Sequence, residues 1–478
     1  MSKVKTVLAF DFGASSGRAI KAEFDGEHLT YREIHRFENS PSERDGHFRW
    51  DFDALLAEVN KGIDKAGHFD SIGFDTWGVD FGLLDENGKL LESPVHYRDS
   101  RTEGIVEKAL QIVDADSLYA ATGTQIMGIN TLFQLLAVKQ QQPELLQKAQ
   151  TLLFMPDLFA YAVSGCKTCE KTIASTAQMA TLPGGVWNEE LIEKFGLPKK
   201  LFLPTTDAGS IIGTLPQNGA KMVAVAGHDT QCAVAAMPTN EPDVAFLSCG
   251  TWSLLGCELD KPILTRESRE LGLSNELGAN GKVDYLKNII GLWLIQESRR
   301  ACRRKGEEYS FADLEKLALA AQPLRCFIDP DDPVFTPPGD IPGRVQEYCK
   351  KTGQYVPRTV GEIMRCIYES LALKYRFAIE QLETVTGKTF SALHILGGGT
   401  KDGLLCRMTA SSTGKQVIAG PIEATALGNI LIQLVALGAL ASIDDGRELI
   451  ARTETVTHYQ PQDTEAWDKA YEFYRTLL

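Results

Sequence analysis

The chain has 478 residues, a formal net charge of −14, and 44% hydrophobic residues. That length predicts two or three domains, and the ordinary composition excludes a disordered chain. The acidic balance argues against nucleic-acid binding, which uses a basic surface, and no apolar run is long enough to predict a membrane span. We expect a cytoplasmic protein without a secretory signal, because 1–5 leads straight into a strand-like run.

Ten cysteines in a long chain without a leader predict reduced thiols. Cys166 and Cys169 form a C-x-x-C pair, but neither a second pair nor nearby histidines complete a zinc site. Cys349 and Cys366 flank a predicted loop, so they can lie close together in the fold or remain two separate free thiols.

A strand, a turn of small residues and a second strand open the chain. Thr6–Phe12 is typical of a buried strand, Gly13–Gly17 of a tight turn, and Arg18–Ala22 of a return strand. Backbone N–H groups of such a turn can face an anion, and Arg18 adds positive charge. Asp11 closes an apolar strand and can hold magnesium through water. The hairpin predicts a phosphate site, although an ordinary hairpin uses the same residue types.

The same pattern recurs near the middle of the chain. Val244–Cys249 is a predicted strand, Gly250 and Thr251 form the turn, and Trp252–Glu258 is the return strand. The offset between the two turns is close to half the length of the chain, which indicates a duplicated fold. Thr251 can therefore contact the phosphates from the second half.

Further strands and helices alternate along the chain, which is typical of the α/β class. Additional strands are predicted at Ser71–Asp75, Val79–Leu84, Val223–Ala226 and Leu393–Leu396. Helical stretches are predicted at Glu103–Ala149, Gln231–Met237, Thr359–Glu383 and Asp463–Leu478. A junction at Pro238–Pro242 predicts an N-terminal domain, 1–240, and a C-terminal domain, 241–478.

Two short runs contain residues that can bind a sugar or take a proton from one of its hydroxyl groups. Asp229 stands between a predicted strand and a predicted helix, where it can be an N-cap or a general base that takes a proton from a hydroxyl. His228 beside it can contact a ligand or serve the structure. The run DTWGVD at 75–80 combines carboxylates, a hydroxyl and the indole of Trp77, as sugar sites do, although a strand edge with a buried tryptophan fits equally well.

Taken together, these motifs resemble the FGGY carbohydrate kinases over nearly the whole chain. The matching runs are DFGASSGR at 11–18, DTWGVDF at 75–81, YRDSRT at 97–102, MPD at 155–157, GHDT at 227–230, GTWS at 250–253, LKNIIGLWL at 286–294, GGG at 397–399 and GPIEATALGN at 420–429. The resemblance implies an actin-like ATPase (ribonuclease H-like) fold of two related α/β domains with an interdomain cleft.

The resemblance also implies roles for single residues. Asp229 would be the proton acceptor, and Asp11 would lie near Mg²⁺. The implied ATP-binding residues are Asp11, Ala14, Ser15, Ser16, Gly17, Arg18, Thr251, Gln296, Gly397, Gly398 and Gly399. The implied sugar-binding residues are Trp77, Gly78, His228, Asp229, Thr230 and Asn288. Many family members carry threonine at the position of Ala14, so this turn has one hydroxyl fewer.

The implied reaction transfers the γ-phosphoryl group of ATP to the 1-hydroxyl of L-rhamnulose, giving L-rhamnulose 1-phosphate and ADP, in L-rhamnose catabolism. DTWGVDF and LKNIIGLWL are the runs that favour this sugar. The alternatives are a kinase for another ketose such as L-fuculose or L-xylulose, an actin-like ATPase with a protein client, and a silent sugar-binding regulator. The expected partners are a ketose and MgATP, with no nucleic acid and no membrane, in a monomer or homodimer.

Overall fold

The computed structural model describes residues 4–13 and 15–478. The strands in these residues, β1 to β17 in chain order, are Lys5–Phe12, Ser16–Phe24, Leu29–Glu38, Ser42–Arg44, His47–Arg49, Ser71–Thr76, Phe81–Leu84, Thr151–Phe154, Ser210–Thr214, Lys221–Ala224, Val244–Cys249, Trp252–Leu259, Ser274–Leu277, Val283–Ile290, Ala392–Leu396, Gln416–Ala419 and Thr457–Tyr459.

The α-helices in the same residues, α1 to α18, are Phe52–Ala66, Ile105–Leu110, Ala115–Thr122, Thr131–Gln141, Pro143–Lys148, Met155–Ser164, Lys171–Ser175, Glu189–Lys194, Asp229–Ala235, Arg266–Glu270, Trp293–Arg304, Phe311–Ala320, Ile341–Lys351, Val360–Thr386, Gly403–Thr413, Ala424–Ala436, Ile443–Thr453 and Thr464–Tyr474. None of the helices in the described part of the chain combines the length and apolar character needed to cross a lipid bilayer.

Two large mixed sheets repeat one pairing pattern. The six-stranded sheet has the order β3-β2-β1-β6-β10-β9, and the seven-stranded sheet has the order β13-β14-β12-β11-β15-β16-β17. In the first, β1 is antiparallel to β2 and parallel to β6, which is parallel to β10. In the second, β11 is antiparallel to β12 and parallel to β15, which is parallel to β16. The repeat of this order agrees with the predicted duplication.

The two hairpins differ in the length of their turns. In the first hairpin Phe12 pairs with Gly17, whereas in the second Cys249 pairs with Ser253. The second turn is therefore one residue shorter. Setting Gly13 against Gly250 in the sequence pairs Ser16 with Ser253, and this pairing is off by one residue after the turn. The bounds of β11 agree with the predicted strand, and β1 begins one residue before its predicted start.

β1 is buried on both faces, as expected for the centre of a sheet covered by helices. Val7 and Ala9 belong to a core cluster with the apolar side chains of α16. On the alternate residues, the ring of Phe10 stacks on Phe74 with centroids 5.1 Å apart, and Phe12 stacks on Phe159 of α6 at 4.4 Å. Burial of each of these phenylalanine side chains contributes about 1.5–3 kcal/mol to the free energy of unfolding.

The prediction of one helical stretch at Glu103–Ala149 is wrong, because this part of the chain forms four separate helices, α2 to α5. Asp114 caps α3 by accepting the N–H of Ser117 at 2.9 Å. Gly123 ends α3 with a φ of 68°, a conformation that glycine adopts without strain. Pro143 then starts α5, since its ring cannot continue a preceding helix.

The other long helical prediction is confirmed, since α14 covers the predicted Thr359–Glu383 almost completely. Thr359 and Glu362 form a capping box at its start, and Gly387 ends it with a φ of 67°. At the carboxyl end of the chain, the predicted helix is shorter than expected, because α18 stops at Tyr474 and a 3-10 turn follows at Arg475–Leu477.

The chain divides into two compact units that are interleaved in sequence. The first unit runs to Asn240 and also takes in Glu258–Tyr285 and Ala424–Thr453. The second unit consists of Glu241–Cys257, Leu286–Glu423 and Glu454–Leu478. The first break falls inside the predicted junction at 238–242, but two later segments return to the first unit. The contiguous domains 1–240 and 241–478 therefore stay a prediction.

Candidate active site

Three aspartates of the first unit come together at the carboxyl ends of neighbouring parallel strands. Asp11 of β1 lies opposite Asp75 of β6 in the strand register. Asp229 follows β10, and its loop is tied to β6 because the Thr76 N–H donates to the Gly227 carbonyl at 2.9 Å. The carboxyl ends of parallel strands are where open α/β sheets bind their ligands. Asp11 and Asp229, both predicted, thus share this edge with a third carboxylate.

Asp75 is a site residue that the sequence analysis missed, since it treated the run at 75–80 as a sugar contact. Its Oδ2 accepts the Asn429 amide at 2.6 Å, whereas its Oδ1 is buried and has no hydrogen-bond partner among the residues that the structure describes. Burial raises the pKa of Asp75 well above its usual range, and the Asp11 carboxylate adds to this shift. A free carboxylate oxygen beside a second carboxylate suits a hard divalent cation.

Asp229 is the first residue of α9, and His228 occupies the N-cap position, so the N-cap alternative for Asp229 is wrong. The Asp229 side chain remains 29% exposed. Burial raises its pKa to about 6, with the His228 imidazole opposing the shift and the Asp11 carboxylate adding to it. A carboxylate with a pKa near neutrality is suited to accept a proton.

His228 and Thr230 flank this carboxylate. The Thr230 N–H donates to Asp229 Oδ1 at 2.6 Å, and the Thr230 side chain is buried. His228 Nδ1 lies 2.8 Å from Glu276 Oε2, and its Nε2 lies 3.5 Å from Asp229 Oδ1. Burial opposes protonation of His228, but the neighbouring carboxylates, Glu276 first, outweigh it and raise its pKa.

The predicted phosphate turn after β1 is held by a residue that the sequence analysis did not single out, Asn39. The Asn39 amide donates to the Gly13 carbonyl at 3.0 Å, and its backbone N–H donates to the Ser15 carbonyl at 3.1 Å. The turn itself closes through a 2.9 Å bond from the Gly13 N–H to the Ser16 carbonyl. Ala14 lies outside the described residues.

Two residues of this predicted site are fixed by close contacts. A Cβ at Gly17 would lie 2.3 Å from the ring of Phe37, so any side chain at this position would displace that ring. Arg18 pairs with Asp11 across the hairpin, with a guanidinium–carboxylate distance of 2.5 Å, and its side chain is 20% exposed. Asp11 and Arg18, both predicted for the nucleotide, are thus brought together.

Gly78, a predicted sugar contact, lies beside the catalytic candidates. A Cβ built on Gly78 would lie 3.5 Å from His228 Cδ2 and 3.3 Å from the methyl group of Thr176. The next residue, Val79, has a φ of 67°, a left-handed conformation that is rare for β-branched residues. The Val79 N–H donates to the Thr176 hydroxyl at 3.2 Å, which holds the bend in place.

Trp77 is buried, and its indole packs on Trp50 with ring centroids 4.0 Å apart. The indole N–H groups of both residues donate to Asp80 Oδ2, at 2.9 and 2.7 Å. Burial raises the pKa of Asp80 to about 6, against the opposing effect of these donors. The geometry gives Trp77 a packing role, and its contact with a sugar stays a prediction.

The second unit brings together the predicted nucleotide residues Thr251 and Gln296. The Thr251 hydroxyl donates to Gln296 Oε1 at 3.3 Å. The Trp293 N–H, at the start of α11, donates to the Thr251 carbonyl at 3.2 Å. A Cβ at Gly291 would lie 2.3 Å from the Ser253 hydroxyl and 2.8 Å from its backbone nitrogen, so glycine is required for this approach.

The predicted glycine turn after β15 lies against the same hairpin. A Cβ at Gly399 would lie 2.2 Å from the sulfur of Cys249, and Gly397 has a φ of 80°. Gly398 faces open space, since no atom of the described residues lies within 4 Å of its built Cβ. Asn288 is half-buried on β14, in the second unit, and its part in sugar binding stays a prediction.

α14 supports this region of the second unit through two buried tyrosines. The hydroxyl of Tyr375 lies 2.7 Å from that of Ser253, next to the turn at Thr251. The hydroxyl of Tyr368 donates at 2.7 Å to Asp402, the residue that caps α15 just beyond the glycine turn. Neither tyrosine could be identified as a site neighbour from its sequence position.

Three buried cysteines of the second unit also cluster. The sulfurs of Cys326, Cys349 and Cys366 all lie within 4.8 Å of one another. Of the two alternatives for Cys349 and Cys366, the structure shows the one in which they lie close together, as free thiols, and Cys326 joins them. Cys166 is half-buried, and Cys169 is fully buried.

Both halves of the chain match descriptions of one protein family. Residues 6–236 match the N-terminal domain of the FGGY family of carbohydrate kinases, and residues 245–437 match its C-terminal domain. The rhamnulokinase of Bacteroides thetaiotaomicron is 41% identical over 483 residues, which cover 98% of this chain and 99% of that protein. The rhamnulokinase of Enterobacter sp. (strain 638) is 41% identical over 463 residues, covering 95% and 94%.

The backbone is similar to those of solved sugar kinases. The gluconate kinase from Lactobacillus acidophilus superposes with a TM-score of 0.80 at 16% sequence identity, covering 99% of this chain and 98% of that chain. At this identity the likeness concerns the fold, and it confirms the expected actin-like ATPase architecture.

Proposed function

The chain belongs to the FGGY family of carbohydrate kinases, and we propose that it transfers the γ-phosphoryl group of ATP to the 1-hydroxyl of L-rhamnulose. ATP as phosphoryl donor follows from the family. The observation that carries the choice of sugar is the identity of 41% to two rhamnulokinases, in alignments that cover almost the full length of all three chains.

We assign the proton acceptor to Asp229. The 1-hydroxyl oxygen would attack the γ-phosphorus, the bond from that phosphorus to the β–γ bridging oxygen would break, and ADP would leave. The hydroxyl proton would pass to Asp229, whose pKa of about 6 leaves it mostly ionised at neutral pH. General-base assistance of this kind contributes about 10²–10⁴-fold in rate.

We assign a magnesium site to Asp11 and Asp75. The Oδ1 of Asp75 fits such an ion, because it is buried without a partner in the described part of the chain, and the Asp11 carboxylate opposite it would supply a second oxygen ligand. When bound, magnesium would neutralise charge on the phosphates of ATP. Arg18 already neutralises part of the Asp11 charge. Its guanidinium group would lie between the aspartates at this sheet edge and the phosphates of ATP.

We further propose that Thr251, Gln296 and the turn at Gly397–Gly399 bind the nucleotide. Their mutual packing supports this role, because Gly399 admits no side chain beside Cys249, and three successive glycines leave the backbone of the turn accessible to a ligand. Gly78, Thr230 and His228 would contact the sugar, since Thr230 and His228 lie against Asp229 and Gly78 lies against His228 in the first unit.

The test of the substrate is a panel of ketoses in a coupled assay for ADP. L-Rhamnulose should give the highest kcat/KM, and phosphorus NMR of the product should locate the ester at carbon 1. A higher kcat/KM with L-fuculose or L-xylulose would overturn the choice of sugar and leave the kinase assignment intact.

The test of the base is Asp229→Asn, which preserves shape and removes the acceptor charge. We expect turnover to fall by about 10²–10⁴-fold while the Kd for ATP stays within a factor of two to three. Asp207→Asn is the control, because Asp207 is a surface carboxylate paired with Lys171 and should leave turnover unchanged. Turnover of Asp229→Asn near that of the parent would refute the assignment.

A further inference from the structure

We propose that Glu276 is a positioning residue for phosphoryl transfer: through a hydrogen bond it holds His228 protonated and aimed at Asp229, and so keeps the base ionised. The inference rests on the proposed role of Asp229, and nothing in the family resemblance assigns a function to Glu276. Glu276 lies on β13, 48 residues beyond His228 in the chain, and both belong to the first unit.

The contacts form a chain of three groups. Glu276 Oε2 lies 2.8 Å from His228 Nδ1, and His228 Nε2 lies 3.5 Å from Asp229 Oδ1. The side chains of Glu276 and His228 are 5% and 9% exposed, so water screens their interaction little. A histidine between two carboxylates can donate from both ring nitrogens only when it is protonated.

Further acidic residues surround this chain of three groups. Glu170, at the start of α7, is another buried carboxylate that favours the charged form of His228. Asp11 on β1 and Asp75 on β6 interact with Asp229 as like charges. Asp284 on β14 is a further buried acid that interacts with Glu276.

The positive charge of protonated His228 therefore favours the ionised form of Asp229. Three aspartates share one sheet edge, and their mutual repulsion favours protonation of the base. A cation 3.5 Å from Asp229 opposes that repulsion. Without the Glu276 carboxylate, burial would favour neutral histidine, and Asp229 would lose this counter-charge.

The first measurement needs no substrate. NMR titration of the ligand-free full-length protein, with isotope-labelled histidine, should give His228 a pKa above the ordinary value of about 6.5. The chain has eight histidines, and the spectrum of His228→Asn identifies the resonance. In Glu276→Gln the His228 pKa should fall by at least about one unit, as expected for loss of a contacting carboxylate. An unchanged titration would overturn the proposal.

The second measurement is the pH profile of kcat/KM. In Glu276→Gln the acid limb of this profile should shift to higher pH by about one unit, because Asp229 binds its proton more tightly without a neighbouring cation. A merely structural role would lower kcat/KM equally at all pH values, and that result would also overturn the proposal. Glu276→Asp keeps the charge and should keep His228 protonated if it folds as the parent does.

Two further variants separate the proposed path from its alternatives. Gln231 donates to the same Glu276 oxygen at 2.9 Å, so Gln231→Leu removes a neighbour of Glu276 and retains the bond to His228. This control should leave the acid limb in place. In a His228→Asn background, Glu276→Gln should shift the limb no further, and an additional shift would show that Glu276 acts by another route. If the parent phosphorylates no ketose, the proposed function fails, while the NMR titration still decides the role of Glu276.

Discussion

Asp229 is the residue whose ionisation should set the acid limit of the reaction. Its pKa of about 6 means that the carboxylate is lost as the pH falls through that value. We expect kcat/KM for the sugar to be half-maximal near pH 6 and to drop about tenfold per pH unit below it. A profile measured at saturating ATP and magnesium and at constant ionic strength tests this. A plateau that continues to pH 5 would contradict it, and the residual activity of Asp229→Asn should lack this limb.

Asp75 is the residue through which the magnesium assignment can be tested. Asp75→Asn keeps a carbonyl oxygen for the Asn429 amide, which donates to it at 2.6 Å, and removes one anionic ligand. We expect the magnesium concentration for half-maximal activity to rise at least about tenfold, because Mg²⁺ prefers carboxylate ligands.

The magnesium dependence of ADP release measures this effect, and circular dichroism with cooperative unfolding verifies the fold. Asp80→Asn is the matched control, since Asp80 is equally buried but bonded to two indole N–H groups. An unchanged magnesium requirement in Asp75→Asn, or an equal rise in the control, would remove Asp75 from the metal site.

At the scale of elements, the first hairpin depends on the contact between its glycine and the strand beside it. A methyl group at Gly17 would lie 2.3 Å from the Phe37 ring, so Gly17→Ala should cost about 1–3 kcal/mol of unfolding free energy through overpacking. Phe37→Leu in the same chain should recover part of that loss, because the smaller side chain vacates the position of the ring.

Urea unfolding of the two single variants and the double variant measures this coupling. Gly13→Ala serves as the comparison, since its Cβ would make only an ordinary 3.5 Å contact with the Ser16 carbonyl. If Gly17→Ala were as stable as Gly13→Ala, or if the double variant showed no recovery, the packing explanation would be wrong.

Changes in α14 should weaken the binding of the nucleotide and leave the binding of the sugar unchanged. Tyr375→Phe removes the hydroxyl next to Ser253 and keeps the buried ring, and loss of one hydrogen bond costs about 0.5–1.5 kcal/mol. We therefore expect KM for ATP to rise about two- to tenfold with little change in KM for the ketose. Steady-state kinetics with each substrate varied in turn provide the test.

Tyr355→Phe is the control for this prediction, because the Tyr355 hydroxyl donates to Glu362 at the start of α14 and not to Ser253. A rise in KM for the ketose alone would contradict the support of the nucleotide turn by α14.

Local sequence patterns predicted the elements better than the site. β1, β11 and α14 follow from their apolar patterns, although α14 continues to Thr386, beyond the predicted end at Glu383. The long helical stretch was wrong because its apolar periodicity continued across Gly123 and Pro143, where the chain turns.

The site residues that were missed share a different cause. Asp75 becomes recognisable only when the strand register sets it opposite Asp11. Asn39, Glu276 and Asn429 act on residues 26, 48 and 354 positions away, and such partners leave no local signal. Asp11, Asp229 and the glycine turns could be predicted because each ends or follows a strand within a short motif.

At the scale of the whole molecule, the interleaving of the two units predicts how fragments will behave. The sheet of the first unit packs Val7 and Ala9 against four aliphatic side chains of α16, a helix that lies far along the chain: Leu427, Ile430, Leu431 and Leu434. Burial of four such side chains is worth about 6–12 kcal/mol, which is comparable with the total stability of a domain, about 5–15 kcal/mol.

A fragment of residues 1–240 should therefore fail to fold cooperatively, because it lacks α16 and exposes one face of its sheet. The buried carboxylate of Asp75 would also lose its Asn429 donor. We expect this fragment to bind a hydrophobic dye and to unfold without a sharp urea transition. Co-expression with 241–478 should restore the transition, since the second fragment supplies α16 and α17. A stable, cooperatively unfolding 1–240 fragment would instead establish the contiguous N-terminal domain that the sequence predicts.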